Sequence, residues 1–448
     1  MTKTNSWKKW ACLAFSLLLG LNASAQLSET ELADKIAAKE QITNVPTIYI
    51  TIPDVGSSDN ELDSQLFKDQ STYEAAYHSA IIQVIDADHP DLEFTDYVSI
   101  KVRGNSTSTQ SKRPYRLKFE KSLTDPNDPT QTVSSSKHDL LGYGYKERSW
   151  VLLANAFDHS LIRNALTYHI GKYVGMPFCA GYRFVDLVIN GNYRGCYQVS
   201  DHVNVSENRV NINEDTDQLL EHVSSITKFR DDFYVSNDNG LGYTNIKNPD
   251  REDLTEEQAD ALTTELQNYL DNWYNATNAK TYNDMETLTK FYLGLQLTGD
   301  YDGCLVAKTY RINNGVIHWG PLWDKDLAYG NGPNMENKFS DDTWNGQICS
   351  FFNKLHTDFT FLTAINKLMS DINIDGLYAS LETKIDELKD YLADTWKQNY
   401  QKWGDKTDQS SWADTQNSLG SHAAYIANLK EWLPARISFV KEKIQGWY

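Results

Sequence analysis

Hydrophobic and polar positions change their period near the middle of the chain. From residue 46 to residue 199 apolar side chains alternate with polar ones, which predicts strands at 46–52, 80–85, 97–103, 115–120, 149–154, 184–189 and 195–199. In 115–120 the alternation puts Tyr115, Leu117 and Phe119 on one face and Arg116, Lys118 and Glu120 on the other. Asn190-Gly191 marks a tight hairpin between the last two strands. The stretch between the first two strands, with Gly56-Ser-Ser-Asp59, reads as loop, and 31–39 as a short helix. A helix opens within 158–164, with His159 or Ser160 as its cap and Leu161, Ala165 and Tyr168 as its apolar stripe.

Beyond Val203 the period is helical. Thr255-Glu-Glu-Gln258 is a capping-box pattern that starts a helix running to about Trp273. Further helices are predicted at 285–297, 361–369, 376–392 and 423–444, and Pro434 is expected to kink or break the last. The fold class is therefore α+β, with a β-rich part at 46–202, a mainly helical part at 203–448, a polar segment at 26–45, and a hinge near Ser200-Asp-His-Val203.

One hairpin interrupts the helices, with strands at 309–312 and 316–319 joined through Asn314-Gly315. Asp302 precedes it, and Asp324 and Asp326 follow it in Trp323-Asp-Lys-Asp326. A hairpin brings its ends together, so these carboxylates can face one ligand. Such a set suits phosphoryl transfer, one carboxylate near the acceptor hydroxyl and one or two on a divalent ion. In the β-rich part, a strand, a loop of small hydroxylated residues at 104–112 and a return strand carrying Lys118 can cover a triphosphate. The competing reading is a solvated hairpin, because neither Gly-x-Gly-x-x-Gly nor a Walker motif is present.

Composition narrows the setting. Lys8 and Lys9, the apolar run from Trp10 to Leu21 and Ala23-Ser-Ala25 have the three parts of a secretory leader spanning 1–25. No other run is long enough to span a bilayer, so the expectation is an exported chain, periplasmic, cell-surface or secreted, with no transmembrane segment. Removal of the leader takes three lysines and no acid, moving the formal charge from −19 to −22. That charge argues against a nucleic-acid partner. Cys179, Cys196, Cys304 and Cys349 remain and allow up to two disulfides in any of three pairings. The abundant aromatics fit an ordinary large core better than a glycan surface.

Other motifs compete. Asp371-Ile-Asn-Ile-Asp-Gly376 with Glu382 satisfies an EF-hand pattern, against a simpler reading in which Asn373 or Asp375 caps a helix starting near Leu377. The histidines have no zinc spacing and no Gly-x-Ser-x-Gly elbow occurs. A glycosidase needs only two acids, which Asp324 and Asp326 supply, but that leaves the loop and the lysine unexplained.

Five motifs in order, Val102-Arg-Gly-Asn-Ser106, Lys112-Arg-Pro-Tyr-Arg-Leu-Lys-Phe119, Asp158 with Arg163-Asn164, Asn190-Gly-Asn-Tyr-Arg-Gly195 and Gly320-Pro-Leu-Trp-Asp-Lys-Asp326, resemble the CotH kinase family. The resemblance implies a divergent two-lobed protein-kinase-like fold with ATP between the lobes. It also implies Mg²⁺ or Mn²⁺ as cofactor and a protein hydroxyl outside the cytoplasm as acceptor. Lys118 resembles the nucleotide-binding lysine, with Arg103 and Arg116 as further nucleotide-binding candidates. Asp302 resembles the catalytic aspartate, with Asp300 in reserve, and Asp324 the metal-binding one, with Asp326 beside it. The chain departs from the kinase template at Ala307, where an Asn would hold a second metal. That departure supports an alternative, an inactive kinase-like surface interaction or carbohydrate-binding module.

Overall fold

A computed structural model of the protein describes residues 26–67, 75–223, 233–237, 242–300, 307–331, 350–404 and 419–447. The predicted leader, Asp302, Cys304 and Cys349 lie outside the described residues. The chain is α+β. Strands β1 (Thr47–Thr51), β2 (His78–Ile85), β3 (Phe94–Val102), β4 (Tyr115–Lys118), β7 (Ser149–Leu153), β8 (Tyr182–Ile189) and β9 (Asn192–Asp201) close into a barrel in the order β1-β2-β3-β4-β7-β9-β8. Strands β5 (Leu123–Asp125) and β6 (Asp128–Val133) form a separate ribbon. Closure comes from β1, which pairs antiparallel with β2 and parallel with β8.

The alternation explains the barrel. Its interior takes every second residue, among them Ile50, Ile82, Ile100, Leu117, Leu152, Leu187 and Val199, all buried. Asn190 and Gly191 both have positive φ and turn β8 into β9, as predicted. Outward-facing Val151 and Leu153 form a second apolar layer with Tyr168, Leu219 and Trp323. This layer seats the segment carrying Asp324 against the barrel wall.

The remainder holds more strand than the helical period suggests. Strands β10 (Gln218–Val223), β11 (Tyr234–Asn237), β12 (Gly242–Asn248), β13 (Lys308–Arg311) and β14 (Ile317–Trp319) form a sheet in the order β11-β12-β10-β13-β14. The central hairpin is present, but its positive φ angles fall on Asn313 and Asn314 rather than on Asn314-Gly315. Asparagine tolerates the left-handed region, so the turn forms one residue early.

Helices α1 (Glu29–Ala38) and α2 (Asp59–Gln65) precede β1 and β2. Helix α2 lies where loop is expected, and a complete capping box of Ser58 and Glu61 starts it. Helix α3 (Arg163–Tyr173) starts later than expected, and neither His159 nor Ser160 caps it; Asp158 accepts the Arg163 N–H at 2.9 Å instead. Helix α4 (Glu256–Asn275) has the predicted capping box on Thr255. Helix α5 (Met285–Thr298) is buried almost all round and ends at Gly299, whose φ of 56° is left-handed and whose Cβ, if present, would meet Trp432 at 2.8 Å.

Helices α6 (Ser350–Leu355), α7 (Phe359–Asp371), α8 (Ile374–Tyr391), α9 (Ala393–Trp403) and α10 (His422–Gln445) complete the fold. Asn373 caps α8 by accepting from the Gly376 N–H at 2.9 Å, so the EF-hand-like stretch is a helix start. Pro434 does not break α10. Buried Leu429 and Leu433 before it and Ile437 and Val440 after it hold one face in the core, which outweighs the missing hydrogen bond of roughly 3 kcal/mol. No helix among the described residues is long and apolar enough to cross a membrane. Cys179 and Cys196 are free thiols.

His222 ties the sheet together. From β10 its ring nitrogens meet Thr244 Oγ1 on β12 and Thr309 Oγ1 on β13, each at 2.9 Å. Burial pushes this imidazole down to about 3. The unfolded chain takes up the proton nearer the ordinary 6.5, so stability is fully present above that value and is lost as pH falls toward about 3. Urea midpoints measured from pH 4 to 7 are expected to rise with pH, and more shallowly in His222→Gln.

Candidate functional site

The site is built on residues 323–331, which follow β14. Trp323 stacks on Tyr168 of α3 with centroids 5.9 Å apart and planes 15° from parallel. Asp324 has a φ of 61°, a conformation few non-glycine residues adopt. Lys325 is held at both ends. Its backbone N–H donates to Asn164 Oδ1 at 2.8 Å, and its ammonium meets Asp300 Oδ2 at 2.5 Å, with both side chains buried. Asp326 follows, and its carbonyl accepts from Asn331 Nδ2 at 2.7 Å.

Helix α3 supplies the frame. The Asp158 carboxylate and the Arg163 guanidinium form a fully buried ion pair. Asp158 also accepts from the Ser160 N–H at 3.0 Å and from the Ser160 hydroxyl at 2.5 Å. Arg163 Nε donates to Ala328 O at 3.2 Å, and Thr167 Oγ1 lies 3.0 Å from the Tyr329 hydroxyl. Because α3 grips both Lys325 and Ala328, the residues between them have little freedom.

Across from this segment stands the barrel wall. Arg103, just after β3, is half-buried; its N–H donates to Pro114 O at 3.0 Å and its guanidinium lies 6.0 Å from the Trp323 ring centroid. Burial pushes the Arg103 guanidinium below its ordinary value, and the carboxylates of Asp324 and Asp326 oppose that push. Arg116 points outward from β4 and donates from Nε to Ser149 Oγ at 3.2 Å. His202, just after β9, is pushed well below the ordinary histidine value, first by burial and then by Arg116, Arg103, Arg209 and Lys308. Lys308, the first residue of β13, pairs with Glu221, its register partner on β10. Burial and Arg103 push its ammonium down while Asp324 opposes them.

The carboxylates of Asp324 and Asp326 act on Arg103 through space, and Arg103 and Arg116 both act on His202, without an ion-pair contact between either arginine and a carboxylate among the described residues. Lys118 shares the outer face of β4 with Arg116, is 45% exposed and pairs with Glu120 at 3.6 Å; among the described residues it makes no ion pair with Asp324 or Asp326. Asp300 is committed to Lys325. Asp302 lies outside the described residues. Ala307 is in the hydrophobic core, and its carbonyl accepts from the His222 N–H at 2.9 Å.

The loop between β3 and β4 is more ordered than its composition suggests. Residues Ser106–Thr109 form a 3₁₀ turn. Lys112 faces neither water nor the site; it is buried, donates to Cys196 O at 2.6 Å, and burial pushes it down to about 7. An open depression of about 620 Å³ along α4, lined by Glu265, Tyr269 and Tyr282, contains none of the candidate residues.

Sequence reasoning missed Lys308 and His202. Lys308 follows Ala307 directly, and His202 sits in the stretch read only as a hinge. Charge gave no signal, since both depend on strand register for their neighbours.

Removing one partner of a buried ion pair leaves the other charge unpaired, at roughly 3–5 kcal/mol. Arg163→Met is expected to lower unfolding free energy by about that much in chemical denaturation. Lys118→Met, altering a half-exposed pair, is expected to change it by less than about 1 kcal/mol.

No curated protein matches the chain. The family model described as CotH kinase protein matches residues 100–430, which takes in α3, the central hairpin and the 323–331 segment. With most of its length under that match, the chain belongs to the CotH kinase family.

Proposed function

We propose that the protein is an exported atypical protein kinase that transfers the γ-phosphoryl group of ATP to a hydroxyl of a secreted or surface protein. The observation that supports the reading is Arg103, which lies over the Trp323 ring and within electrostatic reach of the Asp324 and Asp326 carboxylates. Cations that take phosphate charge and carboxylates that take a divalent ion must lie side by side in such a site. In a chain with formal charge −19, that pairing is a local exception.

The residues fit the group the family uses. The Arg103 guanidinium faces acidic groups without being locked in a bidentate pair among the described residues, and so retains donors for phosphate oxygens. Arg103, Arg116 and Lys118 bind the phosphates in this reading. Among the described residues no group of three or more acidic, histidine or cysteine side chains could hold a metal by itself, so Asp324 and Asp326 would hold Mg²⁺ or Mn²⁺ only together with non-protein ligands. When bound, such an ion would supply neutralisation of phosphate charge. Asp302 accepts the proton of the acceptor hydroxyl as its oxygen bonds to the γ-phosphorus. The bond from that phosphorus to the bridging oxygen breaks, and ADP leaves.

Residues 46–202 and 203–448 correspond to the two lobes in this proposal, residues 1–25 to the leader, and His202 to the region between lobes. Ala307 favours a second reading. Its small buried side chain offers no ligand for a second metal, as in a kinase-like surface module without catalysis.

Mature protein incubated with γ-labelled ATP and Mg²⁺ or Mn²⁺ is expected to transfer label to itself or to secreted protein. Asp302→Ala and Asp324→Ala are each expected to lower the rate at least a hundredfold, on the order expected for a group acting in the transition state. Label transfer by wild type that persists in both variants contradicts the assignment; nucleotide binding without transfer supports the inactive module.

A further inference from the structure

We infer that His202 is a direct phosphate ligand of this site, its neutral imidazole donating a hydrogen bond from Nδ1 to an oxygen of a bound polyphosphate chain. The inference rests on the proposed nucleotide site and adds to it a residue of different chemistry from the arginines and lysines.

Two observations carry it. The first is the state of the ring. Nδ1 of His202 is shut off from solvent and has no hydrogen-bond partner among the described residues. A structural histidine in the same protein looks different, since both ring nitrogens of buried His222 are engaged by threonine hydroxyls. An unsatisfied buried nitrogen lowers stability unless something present in the working state completes it.

The second is the company the ring keeps. Arg103, Arg116, Arg209 and Lys308 all act on His202. Arg209 is committed to the fold, donating to Asp201 at 2.9 Å, Asn204 Oδ1 at 2.6 Å and Ser149 O at 2.6 Å. Lys308 meets Glu221, and Arg116 has Ser149 Oγ. Arg103 and Arg116 have no carboxylate in ion-pair contact among the described residues. Arg103 and Arg116 therefore leave positive charge at the ring, while Asp324 acts on Arg103 and on Lys308.

Those surroundings decide the ligand class. A metal cation is disfavoured beside the guanidinium groups of Arg103 and Arg116, and a second proton on the imidazole is disfavoured for the same reason. An anion with several acceptor oxygens suits both the neutral N–H and the guanidinium donors. Polyphosphate has that chemistry.

The test is calorimetric titration of full-length mature protein with Mg²⁺–ATP and, separately, Mg²⁺–tripolyphosphate, for wild type, His202→Leu and His202→Asn. Asparagine keeps an N–H donor close to the position of Nδ1, and leucine removes it. The inference expects His202→Leu to bind both ligands about tenfold more weakly and His202→Asn to stay within about threefold of wild type. Leucine and asparagine variants that lose affinity equally, or a leucine variant that binds as wild type does, overturn it. If wild type binds ATP and the leucine variant is unaffected, the kinase reading survives and the His202 inference falls. If wild type binds tripolyphosphate but not ATP, and leucine abolishes this, the anion site stands and the kinase reading falls. Wild type that binds neither overturns both.

Discussion

The buried ion pair between Asp158 and Arg163 is the constraint on which the candidate site depends. Two charges withdrawn from water are costly, and their attraction compensates only when the remaining donors and acceptors are satisfied. Here they are. Asp158 receives the Ser160 N–H, the Ser160 hydroxyl and the Arg163 N–H, while Arg163 Nε reaches Ala328 O at 3.2 Å. The pair therefore starts α3 and at the same time fixes the segment after β14. Asn164, the next residue, fixes Lys325, and Lys325 in turn neutralises Asp300 at the end of α5. Three elements far apart in sequence converge on one short acidic stretch.

This arrangement fixes two framework acids. Asp158 and Asp300 are buried and spoken for by Arg163 and Lys325. Asp324 and Asp326 flank that fixed lysine, and their carboxylates act on Arg103 of the barrel. The barrel's outer face contributes the positive side through Arg103 and Arg116, and the hairpin contributes Lys308. Opposite charges are thus gathered from different elements, which is what a site for an anionic substrate and a divalent ion requires.

Much of this was legible in the sequence, for identifiable reasons. Alternation in 115–120 placed Leu117 inside the barrel and Arg116 outside it because strand periodicity is two. The capping box on Thr255 was readable because it is local. Ring closure of the barrel was not, since the parallel pairing of β1 with β8 joins residues about 140 positions apart with no local signature. The sheet through β10 and β12 was missed for a similar reason. The residues of the proposed site divide the same way. Asp324 and Asp326 stood out in a motif, whereas His202 and Lys308 owe their significance to register across strands. Asp158 was noticed as part of a motif, but its role as the clamp on Ala328 is a tertiary fact.

The measurement that bears most directly on the central claim is electron paramagnetic resonance of Mn²⁺ with the mature protein, with and without ATP, in wild type and Asp324→Asn. The account predicts that wild type immobilises Mn²⁺ in the presence of ATP and that the asparagine variant largely loses this. A signal indistinguishable between the two proteins, or one that matches free Mn²⁺–ATP in both, would contradict it.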